Sequence, residues 1–142
     1  MSRRLMVGAV AALVSIGVGA TALAQVRGVR GQVRAGAIES ESGSGYFDSS
    51  IVIRQLRARL RAIQTCYERE LRDDPSLEGE VAVRFSIDEG GLVQDVSAVR
   101  NSTGSDAVAD CAIRTIRRFR FNPGAEGGSV TFVIPLTFQK LE

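Results

Sequence analysis

The stretch from Leu77 to Asn101, LEGEVAVRFSIDEGGLVQDVSAVRN, decides the fold because it holds one complete strand pattern followed by a turn. Apolar residues alternate with polar or small ones, and this period of two places the apolar set on one strand face. The apolar set is Val81, Val83, Phe85 and Ile87. The four residues 88–91, Asp-Glu-Gly-Gly, tolerate positive φ, so we predict a reversal into an antiparallel strand.

The second strand of this hairpin is less regular. Val93, Val96 and Ala98 share one face only if a bulge intervenes near Gln94 and Asp95. A two-stranded hairpin with one apolar face is not stable alone in water, so other segments must cover that face.

A first helix is predicted from near Asp48 to near Arg72. Asp48 can cap the first turn, and Phe47 and Val52 occupy the positions of a hydrophobic staple. Apolar residues then recur at spacings of three and four, which is typical of an amphipathic helix. They are Ile53, Leu56, Leu60, Ile63, Tyr67 and Leu71.

A second helix is predicted between the hairpin and the last strand. Ser105 or Thr103 can cap it, and it extends to about Arg118. Its buried residues are expected to be Val108, Ala112, Ile116 and Phe119, with Ile113 at the margin.

The last strand is predicted from Val130 to Phe138, where apolar residues again alternate with others. Pro135 has no amide hydrogen to give to a ladder, so we expect this strand at an edge of the sheet. The predicted fold is α+β, a two-layer α-β-β-α-β domain with a three-stranded antiparallel sheet and two helices on one face.

Three regions are predicted along the chain. Residues 1–24 resemble a signal peptide, with Arg3 and Arg4 before an apolar run and Ala22-Leu23-Ala24 as the cleavage site. An uncleaved single-helix anchor is the alternative, since about 20 apolar residues can span a bilayer. Residues 25–47 are rich in Gly, Ser and Arg and predict a flexible linker, and residues 48–142 form the folded domain.

Composition argues against several functions. The chain of 142 residues has 18 basic and 16 acidic residues and no His, so it lacks the commonest general base and metal ligand. Without residues 1–24 the basic and acidic residues number 16 each, which is not the charge of a general nucleic-acid binder. We therefore predict no catalytic, cofactor-binding or metal-binding residues and no nucleic-acid partner.

The two cysteines are predicted to pair. Cys66 lies late in the first helix and Cys111 lies in the second. In an exported chain such a pair is most simply a disulfide, because the compartment is oxidising. A catalytic thiol would need a partner base, and the chain has neither His nor a CxxC motif.

Short motifs occur along the chain in a fixed order: Leu77-x-Gly79-x-Val81-x-Val83-x-Phe85-x-Ile87, Gly91-x-Val93-x-x-Val96, Asn101-Ser102 and Phe119-Arg120-Phe121-x-Pro123. From Ile51 to Phe138 this series resembles the C-terminal domain of TonB, a periplasmic energy transducer. The triplet Cys66-Tyr67-Glu68, with Cys111 and Pro135, is similar to the AgmX/PglI variant of that domain, named from myxobacterial gliding-motility proteins.

The resemblance implies a non-enzymatic protein-interaction module of the periplasm or cell envelope, or a secreted one. A partner segment would add beside the last strand, by β-augmentation. The binding residues would be Val130, Thr131, Phe132, Val133, Ile134, Pro135, Leu136, Thr137 and Phe138. The polar sheet face, with Glu80, Arg84 and Ser86, is a second candidate surface.

Two other functions remain open. If residues 5–24 stay in the inner membrane, the protein would be an anchored energy transducer or a gliding-motility component. A TonB transducer also has a long Pro-rich spacer, which this chain lacks. The third candidate is a thiol oxidoreductase that uses Cys66.

Overall fold

The computed structural model describes residues 28–141. The elements of this part of the chain are β1 (Arg30–Ala35), β2 (Ser40–Gly43), α1 (Ser49–Arg57), α2 (Leu60–Asp73), β3 (Gly79–Ile87), β4 (Val93–Asn101), α3 (Asp106–Arg117) and β5 (Val130–Leu141). All strand pairs are antiparallel, in the order β1-β5-β3-β4, and β2 also pairs with β5. The predicted α+β class is confirmed, with two more strands and one more helix than expected.

The hairpin of β3 and β4 has the predicted bulge near Gln94 and Asp95 and a second irregularity that was not predicted. Its register shifts between Ala82 and Val83 and again between Arg84 and Ser86. Asp95, at the predicted bulge in β4, has a φ of 53°. These irregularities let Val93 and Val96 both lie in the core.

The core lies between the sheet and the three helices. The alternating residues of β3 are buried as predicted, and so are those of β5. Phe85 packs against Phe121 and Phe132, with ring centroids 6.1 Å and 6.3 Å apart. Phe47, the predicted staple residue, contacts Phe132 edge-on at 6.3 Å, so the chain before the first helix is fixed to the core.

Both predicted helix caps are present. Asp48 accepts a hydrogen bond from the amide of Ser50 at 2.9 Å, and Ser105 accepts one from the amide of Val108 at 3.3 Å. The first helix, however, is divided into α1 and α2. The division falls at Arg59, whose guanidinium lies over the rings of Phe119 and Phe121. Apolar spacing alone does not reveal this division, because the stripe continues through it.

The prediction of a flexible linker over residues 25–47 is wrong for its folded part, residues 30–43. β1 places Gly31, Val33 and Ala35 on the buried side of the sheet, where all three are small enough to fit beneath α2. A Cβ on Gly31 would lie 2.5 Å from the ring of Tyr67, so only glycine fits there. The folded domain therefore begins within the predicted linker rather than at Asp48.

The predicted signal peptide or anchor, residues 1–24, lies outside the described residues. Among residues 28–141, none of the helices has the length and apolar character needed to span a membrane.

Candidate functional site

The predicted partner-binding strand is not an edge strand. β3 pairs with β5 on one side, from Gly79 opposite Phe138 to Ile87 opposite Val130. β1 and β2 pair with the other side of β5. The prediction that residues Val130 to Phe138 form a free edge is therefore wrong, because the chain's own N-terminal segment occupies that edge.

Pro135 determines how this segment is divided. β1 ends at Ala35, opposite Leu136, and β2 begins at Ser40, opposite Val133. Four residues, 36–39, thus face only the two residues 134 and 135. The carbonyl of Pro135 accepts a hydrogen bond from the amide of Gly36 at 2.8 Å, but its nitrogen has no hydrogen to donate. The missing donor explains why the added strand is interrupted at this point.

β1 is held firmly against the core. Val33 and Ala35 are buried, and the amide of Gly31 donates to Oε1 of Glu68 in α2 at 3.4 Å. The ring of Tyr67 covers Gly31 and packs edge-on against Phe138 at 5.1 Å. These contacts fix β1 between α2 and β5.

The hydroxyl of Tyr67 helps to hold this arrangement. It donates a hydrogen bond to the carbonyl of Leu77 at 2.5 Å. Burial, followed by the charge of Glu78, raises the pKa of Tyr67 to about 12. The hydroxyl therefore keeps its proton at neutral pH and remains a donor.

β2 is held much less firmly. All four of its residues are exposed. Its neighbours are joined to the loop before β5 by backbone hydrogen bonds, from Gly45 to Ser129 at 3.2 Å and between Tyr46 and Glu126 at 2.7 Å and 2.9 Å. β2 is therefore fixed by its backbone ladder and not by the core.

An ion pair crosses the open face of the sheet and holds the segment between β1 and β2. Arg100 of β4 donates to both carboxylate oxygens of Glu39, at 2.6 Å and 3.0 Å, and to Glu80 at 2.5 Å. Ala82 and Pro135 lie opposite one another between these partners and share the open face. Their small side chains leave room for the arginine to reach across β3 and β5.

Loss of this ion pair is expected to loosen β2. The hydrogen bond from Arg100 lowers the pKa of the Glu39 carboxyl below its usual value of 4.5. Because the pKa is lower in the folded state, the ion pair stabilises the fold at neutral pH. This stabilisation is lost as the pH falls through the folded-state pKa of Glu39. We expect Glu39→Gln to speed amide hydrogen exchange of residues 37–43 at pH 7, relative to the wild type.

Glu41→Gln is the matched control, since Glu41 forms no ion pair among the described residues. It should leave exchange at residues 37–43 close to the wild-type rate. Equal exchange in the wild type and Glu39→Gln would contradict this role for the ion pair.

The polar residues of β3, the second candidate surface, lie together on one face of the sheet. Glu80, Arg84 and Ser86 lie on the side of β3 opposite the helices, and the Ser86 hydroxyl lies 2.6 Å from that of Thr131. β4 forms the other edge of the sheet in the described structure. Its two register shifts and the positive φ of Asp95 make it a poor template for an added strand.

The structure joins Cys66 and Cys111 in a disulfide, with their Cα atoms 6.1 Å apart, as predicted. It also identifies residues that the sequence analysis missed, namely Gly31, Glu39 and Arg100. The alternation of Gly31, Val33 and Ala35 was the available signal for β1. Within residues 28–141, no cluster of three or more His, Cys, Asp or Glu residues is arranged to hold a metal ion.

Comparison with known proteins relates part of this chain to a family. Residues 73–139 match the family described as Gram-negative bacterial TonB protein C-terminal. A relative in Myxococcus xanthus (strain DK1622), the tyrosine-protein kinase MasK, is 35% identical over 95 residues, which are 67% of this chain and 14% of that protein. No solved structure matches the chain.

These findings indicate the general type of the domain. TonB C-terminal domains are non-catalytic, periplasmic-type interaction domains. The chain spans only 14% of the length of MasK, so the kinase activity in that protein's name is not carried over. The narrower resemblance to the AgmX/PglI variant stays a prediction. The segment from residue 73 to residue 139, in an α+β fold of the expected class, is therefore TonB C-terminal-like.

Proposed function

We propose that this protein is a non-enzymatic interaction module of the cell envelope, in which an extended partner segment pairs with β5 by replacing β2. The observation that carries the proposal is the pairing of β5 with residues 30–43 of the same chain. The side of β5 away from β3 already pairs with two short strands, so it has the geometry for strand addition. The partner would meet the part of β5 from Val130 to Val133.

β2 is the replaceable strand because its side chains make no contact with the core. Its four side chains are exposed, whereas β1 buries Val33 and Ala35 and lies under Tyr67. A partner that replaces β2 exchanges one backbone ladder for another and uncovers no core residue. A partner that replaces β1 would have to expose Phe138 and Leu136.

Side chains beside the site would select the partner. Thr131 and Val133 are half-buried and lie on the open face of the sheet, next to the polar residues of β3. Alternate side chains of an added strand would contact them, as in other cases of strand addition. The open face of the sheet thus contributes specificity for the segment that pairs with β5. The polar sheet face and the strand β5, the two candidate surfaces of the sequence analysis, act together.

We place the module in the periplasm or outside the cell, which agrees with its family. The alternative is an anchored transducer or motility component, for which residues 5–24 would have to remain as a transmembrane helix. The intact mass of protein recovered from cells separates these two functions. A chain that begins at Gln25 rules out the anchor.

Strand exchange can be tested with the chain's own segment as the probe. Glu41→Pro and Ser42→Pro together remove two adjacent amide donors from β2, so the tethered strand should detach. We expect a peptide of residues 37–45 to bind this variant and to shift the amide resonances of Thr131 and Val133. The wild type should bind the same peptide far more weakly, because its tethered copy competes.

The controls keep the result specific to the edge. A peptide with proline at positions 41 and 42 should not bind. Addition of Val133→Pro to the variant should abolish binding of the unmodified peptide. Unaltered binding after Val133→Pro would exclude this edge as the site.

A further inference from the structure

A groove runs between α2 and α3 on the helical side of the domain. Its walls are two facing stripes, Ala62, Cys66 and Arg69 on α2 and Cys111, Arg114, Thr115 and Arg118 at α3, and Phe119 completes the lining. Its volume is about 420 Å³, which lies in the usual range of ligand-binding clefts. The open sheet face and the β5 edge contribute none of these residues.

The charge of the groove is wholly positive. Arg69, Arg114 and Arg118 line it, and no acidic residue does. Among residues 28–141, none of the three forms an ion pair. Arg114 and Arg118 stand at the C-terminal end of α3, where cations complement the helix dipole, whereas Arg69 lies before the last turn of α2, where that effect is weaker.

A fourth arginine, Arg59, lies beside the groove. Arg59 precedes Ala62 by three residues and stacks over Phe119, at 5.2 Å from the ring centroid. Its Nη2 donates to the carbonyl of Arg120 at 3.0 Å. Its Nη1 is buried and has no hydrogen-bond partner within the described structure. A buried donor without an acceptor is unfavourable, so Arg59 is held beside the groove chiefly by its contact with Phe119 and its bond to Arg120.

The disulfide fixes the spacing of the two helices that carry the arginines. It joins the two walls at the floor of the groove, with 6.1 Å between the Cα atoms of Cys66 and Cys111. The hydroxyl of Thr115 donates to the carbonyl of Cys111 at 2.8 Å and so faces its own helix. The groove therefore offers guanidinium groups on two walls whose separation is fixed.

We propose that this arginine groove, lined by Arg69, Arg114 and Arg118 with Arg59 beside it over Phe119, binds an acidic segment of a partner protein. Guanidinium groups pair with carboxylates through two parallel hydrogen bonds, which favours Asp and Glu side chains. The groove is concave and its arginines stand on opposing walls, so it fits a narrow chain better than a flat lipid surface. Residues 25–142 hold 16 basic and 16 acidic residues, so the attraction is local to the groove.

The test uses the full oxidised protein and a labelled eight-residue peptide of Asp, Glu and Gly, with a second peptide in which Asn and Gln replace the acids. Fluorescence anisotropy should show the acidic peptide binding about tenfold tighter or more, since several charge-assisted contacts act together. The combined variant Arg69→Gln, Arg114→Gln and Arg118→Gln should lose about the same factor.

A matched variant separates the groove from general electrostatics. Arg54→Gln, Arg57→Gln and Arg72→Gln together remove the same charge from the helical layer but line no part of the groove. Binding of the acidic peptide should be nearly unchanged in this variant. Equal weakening in both variants would overturn the proposal, as would equal affinity for the two peptides.

Two further measurements keep the result decisive. If the groove variant fails to fold by circular dichroism, the single substitutions Arg69→Gln and Arg114→Gln take its place, and each should still weaken binding. Vesicles rich in phosphatidylglycerol test the rival partner, an anionic membrane. Vesicle binding that depends on the three groove arginines, without binding of the peptide, would overturn the proposal in favour of a lipid surface.

Discussion

Reduction of the disulfide between Cys66 and Cys111 is expected to lower the free energy of unfolding by about 4 kcal/mol in the chain-entropy model. The bond links residues that are 45 positions apart, so it removes much of the freedom of the unfolded chain. It also joins α2 to α3 beside the core residues Tyr67 and Ala112. Urea unfolding with and without dithiothreitol measures the effect.

The control for this experiment is the variant Cys66→Ala with Cys111→Ala. It should unfold at the lower urea concentration in both conditions, because it has no bond to reduce. A wild-type midpoint that does not change with dithiothreitol would contradict a structural disulfide. That result would favour the alternative hypothesis, in which Cys66 is a reactive thiol.

Removal of β1 and β2 is expected to destabilise the domain by about 3 kcal/mol or more, since burial of one valine alone contributes roughly half of that. A chain that begins at Tyr46 loses the buried residues Val33 and Ala35 and uncovers Tyr67 and Phe138. It also leaves the outer backbone groups of β5 unpaired, which favours aggregation. Thermal unfolding and light scattering measure the two effects.

A chain that begins at Gly28 is the control, and it should be as stable as a chain that begins at Gln25. If the chain from Tyr46 were as stable as the chain from Gly28, the folded domain would begin near Asp48, as predicted from the sequence. That outcome would contradict the present account of β1.

Much of the fold follows from local patterns in the sequence. Strict alternation identifies β3 and β5, and the failure of alternation in β4 identifies its bulge. Asp48 and Ser105 mark the helix starts because short polar side chains satisfy free amides there. These features depend on neighbouring residues, so a single sequence is enough to reveal them.

The outer strands were missed because their composition is that of a linker. β1 uses Gly31 where most strands have a larger residue, and the reason is the ring of Tyr67, 36 positions away. β2 buries nothing, so it has no apolar pattern to detect. Both strands form because they make backbone hydrogen bonds with β5, which is distant in the sequence.

The role of Pro135 was understood only in part. Its missing donor was expected to place β5 at an edge, but in the structure it interrupts the strand paired beside it. At the position where Pro135 lacks a donor, β1 has ended at Ala35 and β2 begins only at Ser40, with residues 36–39 between them. The ion pair of Glu39 with Arg100 then holds that interruption, and nothing local to either residue predicts it.

The central claim is that the segment from Arg30 to Gly43 completes the sheet on β5. Nuclear Overhauser effects between backbone protons of Val33 and Phe138 test it most directly, since these residues lie opposite each other. We predict clear cross-strand effects for this pair in the full oxidised protein, with weaker protection from hydrogen exchange in β2 than in β1. Random-coil shifts from residue 30 to residue 43, with no effect between Val33 and Phe138, would contradict the claim.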